Sequence, residues 1–235
     1  MNENAFFTAI RPAFGGRIGD RTVKGIQALL KAGKDLSIDH MAYVLANVRH
    51  EVGPDMYPIK ETVLPYHKDK NPTDDVVIAR LDRAFKAGEL KGVKKKYWQN
   101  GEFGRGMIQL THEKNRLKFG ITNRDDLLEL DVSARVAVQG MRDGLFTGKK
   151  LSDYKFPSDA NNPPNSNPRR IVNGQDGSDE DVAGYYAVFA AALRKGEWGQ
   201  PASVINVPTV LVPTKPTTKP ATKSFWSYLL GLLKG

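Results

Sequence analysis

The run Ser37-Ile38-Asp39-His40-Met41-Ala42-Tyr43-Val44-Leu45-Ala46-Asn47-Val48-Arg49-His50-Glu51-Val52-Gly53-Pro54 reads as one long helix followed by a stop. Ile38, Met41, Leu45, Val48 and Val52 recur at helical spacing and form an apolar stripe. Ser37 is a natural N-cap, and Asp39 places negative charge in the first turn, where the helix dipole favours it. Pro54 cannot continue the helix. Glu51 lies three residues after Val48 and seven after Val44, so it borders the buried face.

Outward from this helix, the pattern repeats. Thr22–Ala32 carries Val23, Ile26, Leu29 and Leu30 at helical spacing, with Gly33 as C-cap. Residues 76–87 and 125–145 read as further helices. A last one starts near Ser178, where Ser178 and Asp181 resemble a capping box and Tyr185, Val188, Phe189 and Leu193 supply the apolar face. Strand signals are few. Met107-Ile108-Gln109-Leu110-Thr111 is the best one and is short, and residues 156–170, rich in Pro, Asn and Ser, read as a loop. Long helices joined by irregular loops indicate a mainly α domain over residues 1–199 with at most a small β element.

The composition changes after Gly199. Residues 200–223 read as a semi-extended linker, with Pro208, Pro213, Pro216 and Pro220 set among Thr, Val and Lys. Residues 224–235 then read as a short amphipathic helix. Ser224, Ser227, Gly231 and Lys234 share one face, opposed by Phe225, Trp226, Leu229, Leu230 and Leu233. Such a helix is suited to contact with an anionic membrane surface, and docking on the domain formed by residues 1–199 is the competing expectation.

The chain has 235 residues and no cysteine, which excludes disulfides, thiolate metal sites and a cysteine nucleophile. Its formal charge is +9, and Lys215, Lys219, Lys223 and Lys234 in the tail are opposed by no acid. That excess favours polyanionic partners. Nucleic acid is not expected, because the one basic run with aromatics, Lys94-Lys95-Lys96-Tyr97-Trp98, is short. The N-terminal apolar stretch from Ala5 to Ile10 is too short for a secretory signal and ends at Arg11. Synthesis in a cytoplasm is the expectation, with action elsewhere requiring delivery by other means.

Three clusters could carry chemistry. Glu51, on a helix end, is followed ten residues later by Glu61 across a loop stiffened by Pro54 and Pro58. Two carboxyls facing across a groove are what glycoside hydrolysis requires, and a carboxyl held against apolar surface is suited to act as general acid. By spacing alone, two ordinary surface glutamates remain the commoner explanation. The second cluster is Gly104-Arg105-Gly106-Met107-Ile108-Gln109-Leu110-Thr111-His112 with Asn115, where glycines allow close backbone approach and Gln109, Thr111 and Asn115 offer groups for water or sugar hydroxyls. A tight turn would explain it equally well. The third is Ile171-Val172-Asn173-Gly174, in which Asn173 could bind a polar group or simply turn the chain.

Taken together and in this order, the clusters resemble family 19 glycoside hydrolases, most closely the small lytic enzymes of phages, over about residues 6–195. Phe6-Phe7-Thr8-Ala9-Ile10-Arg11, Phe14-Gly15-Gly16-Arg17 and Val23-Lys24-Gly25-Ile26 look like that group's opening. Arg49-His50-Glu51-Val52-Gly53 is similar to the motif of the catalytic acid, and Met56-Tyr57-Pro58-Ile59-Lys60-Glu61 to the stretch bearing the second acid. Phe103 to His112 with Asn115 is similar to the family's most specific motif. The resemblance implies a lysozyme-like helical fold and an inverting hydrolase of peptidoglycan glycan strands, without cofactor or metal. It implies Glu51 as general acid, Glu61 as general base and Thr111 as a holder of the attacking water. It also implies His50, Arg105, Gln109, Asn115 and Asn173 around the substrate. In an inverting pair the carboxyls stand roughly 6.5–9.5 Å apart. Val52 stands where the family usually has threonine. Asp179-Glu180-Asp181-Val182 stands where the family often has an arginine.

Rival readings are a chitinase, which shares the β-1,4-linked N-acetylated backbone, and a non-catalytic wall-binding virion protein of the same fold. A zinc peptidase fails at Pro54, where the second ligand of a His-Glu-x-x-His helix would stand. A calcium loop at Asn173 to Asp181 lacks the spacing of an EF-hand.

Overall fold

The structure is a computed structural model that describes residues 1–199 apart from 64, 67, 91, 164–166, 175 and 176. The expected linker and terminal helix over 200–235 lie outside the described residues.

The described chain is mainly helical. Seven α-helices are present among the described residues: α1 (Glu3–Ile10), α2 (Asp20–Ala32), α3 (Ile38–Val52), α4 (Asp74–Lys86), α5 (Glu113–Leu117), α6 (Leu130–Asp143) and α7 (Asp179–Lys195). Two short strands, β1 (Ile59–Lys60) and β2 (Arg105–Gly106), pair antiparallel with Ile59 opposite Gly106 and Lys60 opposite Arg105. Among the described residues no helix is long and apolar enough to cross a membrane.

Helix α3 begins as its sequence indicates, with the Ser37 hydroxyl accepting from His40 N–H at 3.2 Å. Its burial exceeds a single stripe. Every residue from Met41 to Val48 is buried, because α7 packs along it and α2 and α6 also contact it. Helix α2 in turn packs chiefly on α6, and α1 lies on α7. The main core is filled by Phe6, Leu29, Leu45, Met141, Phe189 and their neighbours from these five helices. Gly25 in α2 is a packing requirement: a Cβ there would sit 1.9 Å from the Met56 carbonyl oxygen.

A second, smaller core gathers Val63, Val77, Leu81, Ala84, Trp98 and Phe103 around α4. The segment from Ile59 to Val63 passes from the main core into this one, and Phe103 to Met107 returns. The two-stranded sheet therefore lies where the two cores meet. It is clamped by charge. Asp74 at the start of α4 receives Lys60 Nζ at 2.8 Å and Arg105 Nη2 at 2.6 Å.

Three sequence expectations change. The helix expected over 125–145 is divided. A 3-10 turn covers Arg124–Leu128, Glu129 is extended at φ −70 and ψ 130, and α6 starts at Leu130. The break carries the Leu127 carbonyl oxygen and Ser133 Oγ up to Gly106, where a Cβ would lie 2.9 and 2.7 Å from them. At the other end, Gly144 stops α6 in the left-handed conformation. The strand expected at Met107–Thr111 is instead a turn, closed by reciprocal backbone bonds between Arg105 and Leu110 at 3.2 and 2.9 Å. Gln109 at φ 51 is incompatible with a continuing strand. Finally, α1 is a helix that the short apolar run did not announce, capped by Asn2 accepting from Ala5 N–H at 3.0 Å.

Candidate active site

Glu51 lies in the last turn of α3 and is 3% exposed. Its carboxylate oxygen Oε1 accepts from Nη2 of Arg169, which is itself buried. The same guanidinium donates from Nη1 to Asn47 Oδ1 at 2.7 Å and from Nε to Ser178 Oγ at 2.9 Å. Asn47 and Glu51 are four apart on α3 and so share a face. Asn47 is held from its other end, donating to the Tyr43 carbonyl at 2.9 Å. Apolar surface is thus only part of the surroundings expected for Glu51. Burial favours the neutral acid, and the guanidinium favours the carboxylate.

Glu61 follows β1 and is 7% exposed. Tyr97 Oη donates to its Oε1 at 2.5 Å, and the Gly104 N–H donates to its Oε2 at 2.8 Å. The Glu61 N–H donates to the Gly104 carbonyl at 2.8 Å, so the residue is bound on both backbone and side chain. Burial pushes the Glu61 carboxyl above its ordinary value, with the Tyr97 hydroxyl, the Gly104 N–H and the Arg105 charge each pulling partway back.

Arg105, expected near substrate, is 1% exposed and engaged by protein. Besides Asp74, its guanidinium reaches Asp125 at 3.1 Å and the Gly101 carbonyl at 2.6 Å, and it stacks 4.0 Å from the Phe103 ring centroid. Its place in the structure is to hold β2 and the Gly104 turn. His50 is buried at the end of α3. Two further carboxylates stand nearby in the chain: Glu102 is 3.8 Å from Arg116, and Asp55 is half-buried in the turn after α3.

Gln109, Thr111, His112 and Asn115 come together with Asn173 around one groove of about 380 Å³, floored by Ile108, Leu110, Phe146 and Val172. The second and third sequence clusters, about 60 residues apart in the chain, therefore share a wall. Gln109 Nε2 donates to the carbonyls of Gly106 at 2.8 Å and Ile59 at 3.1 Å, which fixes the amide. Its Oε1 is buried without a partner, and Gly104 leaves the space beside it: a Cβ there would sit 3.0 Å away. Thr111 Oγ1 donates to the Gln109 carbonyl at 3.1 Å, and Asn115 donates to the Thr111 carbonyl at 2.9 Å. Both Gln109 and His112 (φ 71) adopt left-handed conformations. Such strain costs about 1–3 kcal/mol per residue and persists where the surroundings enforce it.

The two glutamates do not line this groove, but each is tied to residues that do. Gln109 is tied to Ile59, two residues before Glu61. Arg169, which holds Glu51, accepts at its carbonyl from the N–H groups of Val172 and Asn173, both at 3.0 Å, and these residues line the groove. His112 adds a third tie, packing edge-on against Tyr97 with centroids 6.1 Å apart.

Arg169, Asn47, Ser178 and Tyr97 stand around the two glutamates, and the sequence reading gave none of them a place at the site. Asn47 carried a signal, as a polar residue four before Glu51 in an apolar helix. Arg169 carried none, since it lies in a Pro- and Asn-rich loop and its partner is 118 residues away. It stands before Asn173, whereas the arginine sought was at the start of the last helix.

No family model, curated protein or solved structure matches this chain.

Proposed function

We propose that the chain is an inverting glycoside hydrolase of bacterial peptidoglycan, with a lysozyme-like fold and a role like that of phage lytic enzymes. The observation that carries the reading is that two buried glutamates are tied to residues of one polar groove, Glu61 through Ile59 and Gln109 and Glu51 through Arg169. A sugar strand in the groove meets hydrogen-bonding groups from Thr111, Asn115 and Asn173 over an apolar floor, the mixture that holds a sugar ring. In this reading Glu51 enters the step protonated and gives its proton to the leaving oxygen, and Arg169 pairs with the carboxylate that this leaves. Glu61, a stronger base for its raised pKa, takes a proton from water held near Thr111.

A second reading exchanges the two roles. It rests on Glu61 being the carboxyl that burial holds toward its protonated form, while Glu51 is paired with a guanidinium. Chitin, a neutral strand with the same backbone, is the alternative substrate. The test is digestion of purified peptidoglycan beside chitin oligomers, with mass spectrometry of fragments and their reducing ends. Fragments with new reducing sugars from peptidoglycan support the proposal. Release of peptides alone, or no fragments from either polymer, rejects it.

A further inference from the structure

Helix α5 places Lys114 and Lys118 four residues apart, on the same side of the helix. Both line the groove, with Asn115 between them in sequence. Lys118 Nζ donates to the Leu145 carbonyl at 3.0 Å, which anchors that cation beside Phe146 and Thr147 on the groove's wall. The neighbouring acid is drawn off: Glu113 pairs with Arg116 at 3.0 Å. Among the described residues, none that lines the groove is acidic. A cleft with two cations, no lining carboxylate and an apolar floor concentrates positive potential on its contents.

We infer that Lys114 and Lys118 form a cationic rim that recognises carboxylates carried by the glycan strand, and so selects an acidic, peptide-substituted polymer over a neutral one. The inference rests on the proposed glycan-cleaving function and names the feature that separates its two candidate substrates. A neutral N-acetylglucosamine chain gives this rim nothing to pair with. A strand whose lactyl groups carry stem peptides presents the carboxylates of those peptides. Exposed charge pairs contribute modestly and are screened by salt, so the rim sets preference rather than bare affinity.

The test is binding of soluble, uncrosslinked peptidoglycan strands and of neutral N-acetylglucosamine oligomers of matching length to the full chain, at low and high salt. Strands whose stem peptides have been removed by amide hydrolysis carry free lactyl carboxylates in place of peptide carboxylates, and so separate the two carboxylate sources. The double variant Lys114→Gln/Lys118→Gln is expected to weaken binding of the acidic strand about three- to tenfold and to flatten its salt dependence. Binding of the neutral oligomer should stay the same. Equal losses on both ligands, no loss on the acidic strand, or no binding of either ligand by the unaltered chain overturns the inference. If the unaltered chain binds the acidic strand in a lysine-dependent way but cuts neither polymer, the proposed activity fails while the rim stands.

Discussion

The hydroxyl of Tyr97 stands 2.5 Å from Oε1 of Glu61, a residue that is 7% exposed. The tyrosine is itself pushed far above its ordinary range by burial and by the facing carboxylate, so it stays protonated and a donor through the neutral range. Its hydrogen bond offsets part of the cost of a charge on the buried carboxyl.

This relationship sets a pH dependence. With Glu61 as base, activity rises as pH climbs through its raised pKa. Tyr97→Phe removes a contact that lowers that pKa, so the acidic limb of the rate profile should move to higher pH. A carboxyl-carbon NMR titration of Glu61 should move the same way. An unmoved limb and titration would disconnect the two residues. Stability has the opposite sign. A glutamate whose folded pKa is raised binds more protons in the folded state, so its contribution is greatest below the unfolded value and is lost as pH rises through the folded one. Denaturant midpoints of the unaltered chain and of Glu61→Gln, followed across that window, should show the fall only in the unaltered chain.

Arg169 joins Glu51, Asn47 and Ser178, and both members of its ion pair are buried. Removing one partner of a buried ion pair typically costs about 3–5 kcal/mol. Arg169→Met should destabilise the fold on that order, whereas Arg169→Met combined with Glu51→Gln should recover much of the loss. Chemical denaturation of the single and double variants reads the coupling. Additive losses would mean the pair is not a unit.

The assignment of acid and base separates by leaving group. An aryl glycoside with a good leaving group needs little help from an acid. Glu51→Gln should therefore retain most of its rate on such a substrate, and Glu61→Gln should not. The reverse pattern would exchange the roles. An NMR time course should show inversion at the anomeric carbon, and retained configuration would refute a water-positioning Glu61.

Much of the fold was legible in the sequence because helices advertise themselves locally. The stripe and cap of α3 predicted its start, and Gly33 and Pro54 its surroundings. The groove was half legible: Gln109, Thr111, Asn115 and Asn173 were all named, and they meet. What stayed hidden depended on distant partners. The break at Glu129 arises from the approach of Gly106, and Arg105 turns into the protein because Asp74 and Asp125 wait there. Arg169 has no meaning until residues 118 apart are brought together.

The tail is expected to act apart from the helical domain. The helix that the sequence predicts over residues 224–235 would rise about 18 Å, too short for a hydrocarbon core of about 30 Å, so contact with a membrane would lie in its surface. Truncation after Pro208 should leave cleavage of purified peptidoglycan nearly unchanged and reduce binding to anionic vesicles. A large drop in melting temperature, or equal vesicle binding with and without the tail, would instead mean that it docks on the domain.

The central claim is that Glu51 and Glu61 cut glycan strands, and its most direct test is the rate at which Glu51→Gln releases reducing ends from purified peptidoglycan. The substitution keeps shape and removes the proton donor. The account predicts a fall of at least about 10²-fold, the usual scale of general acid catalysis, with the circular dichroism spectrum unchanged. A folded Glu51→Gln variant that cleaves at close to the unaltered rate would contradict it.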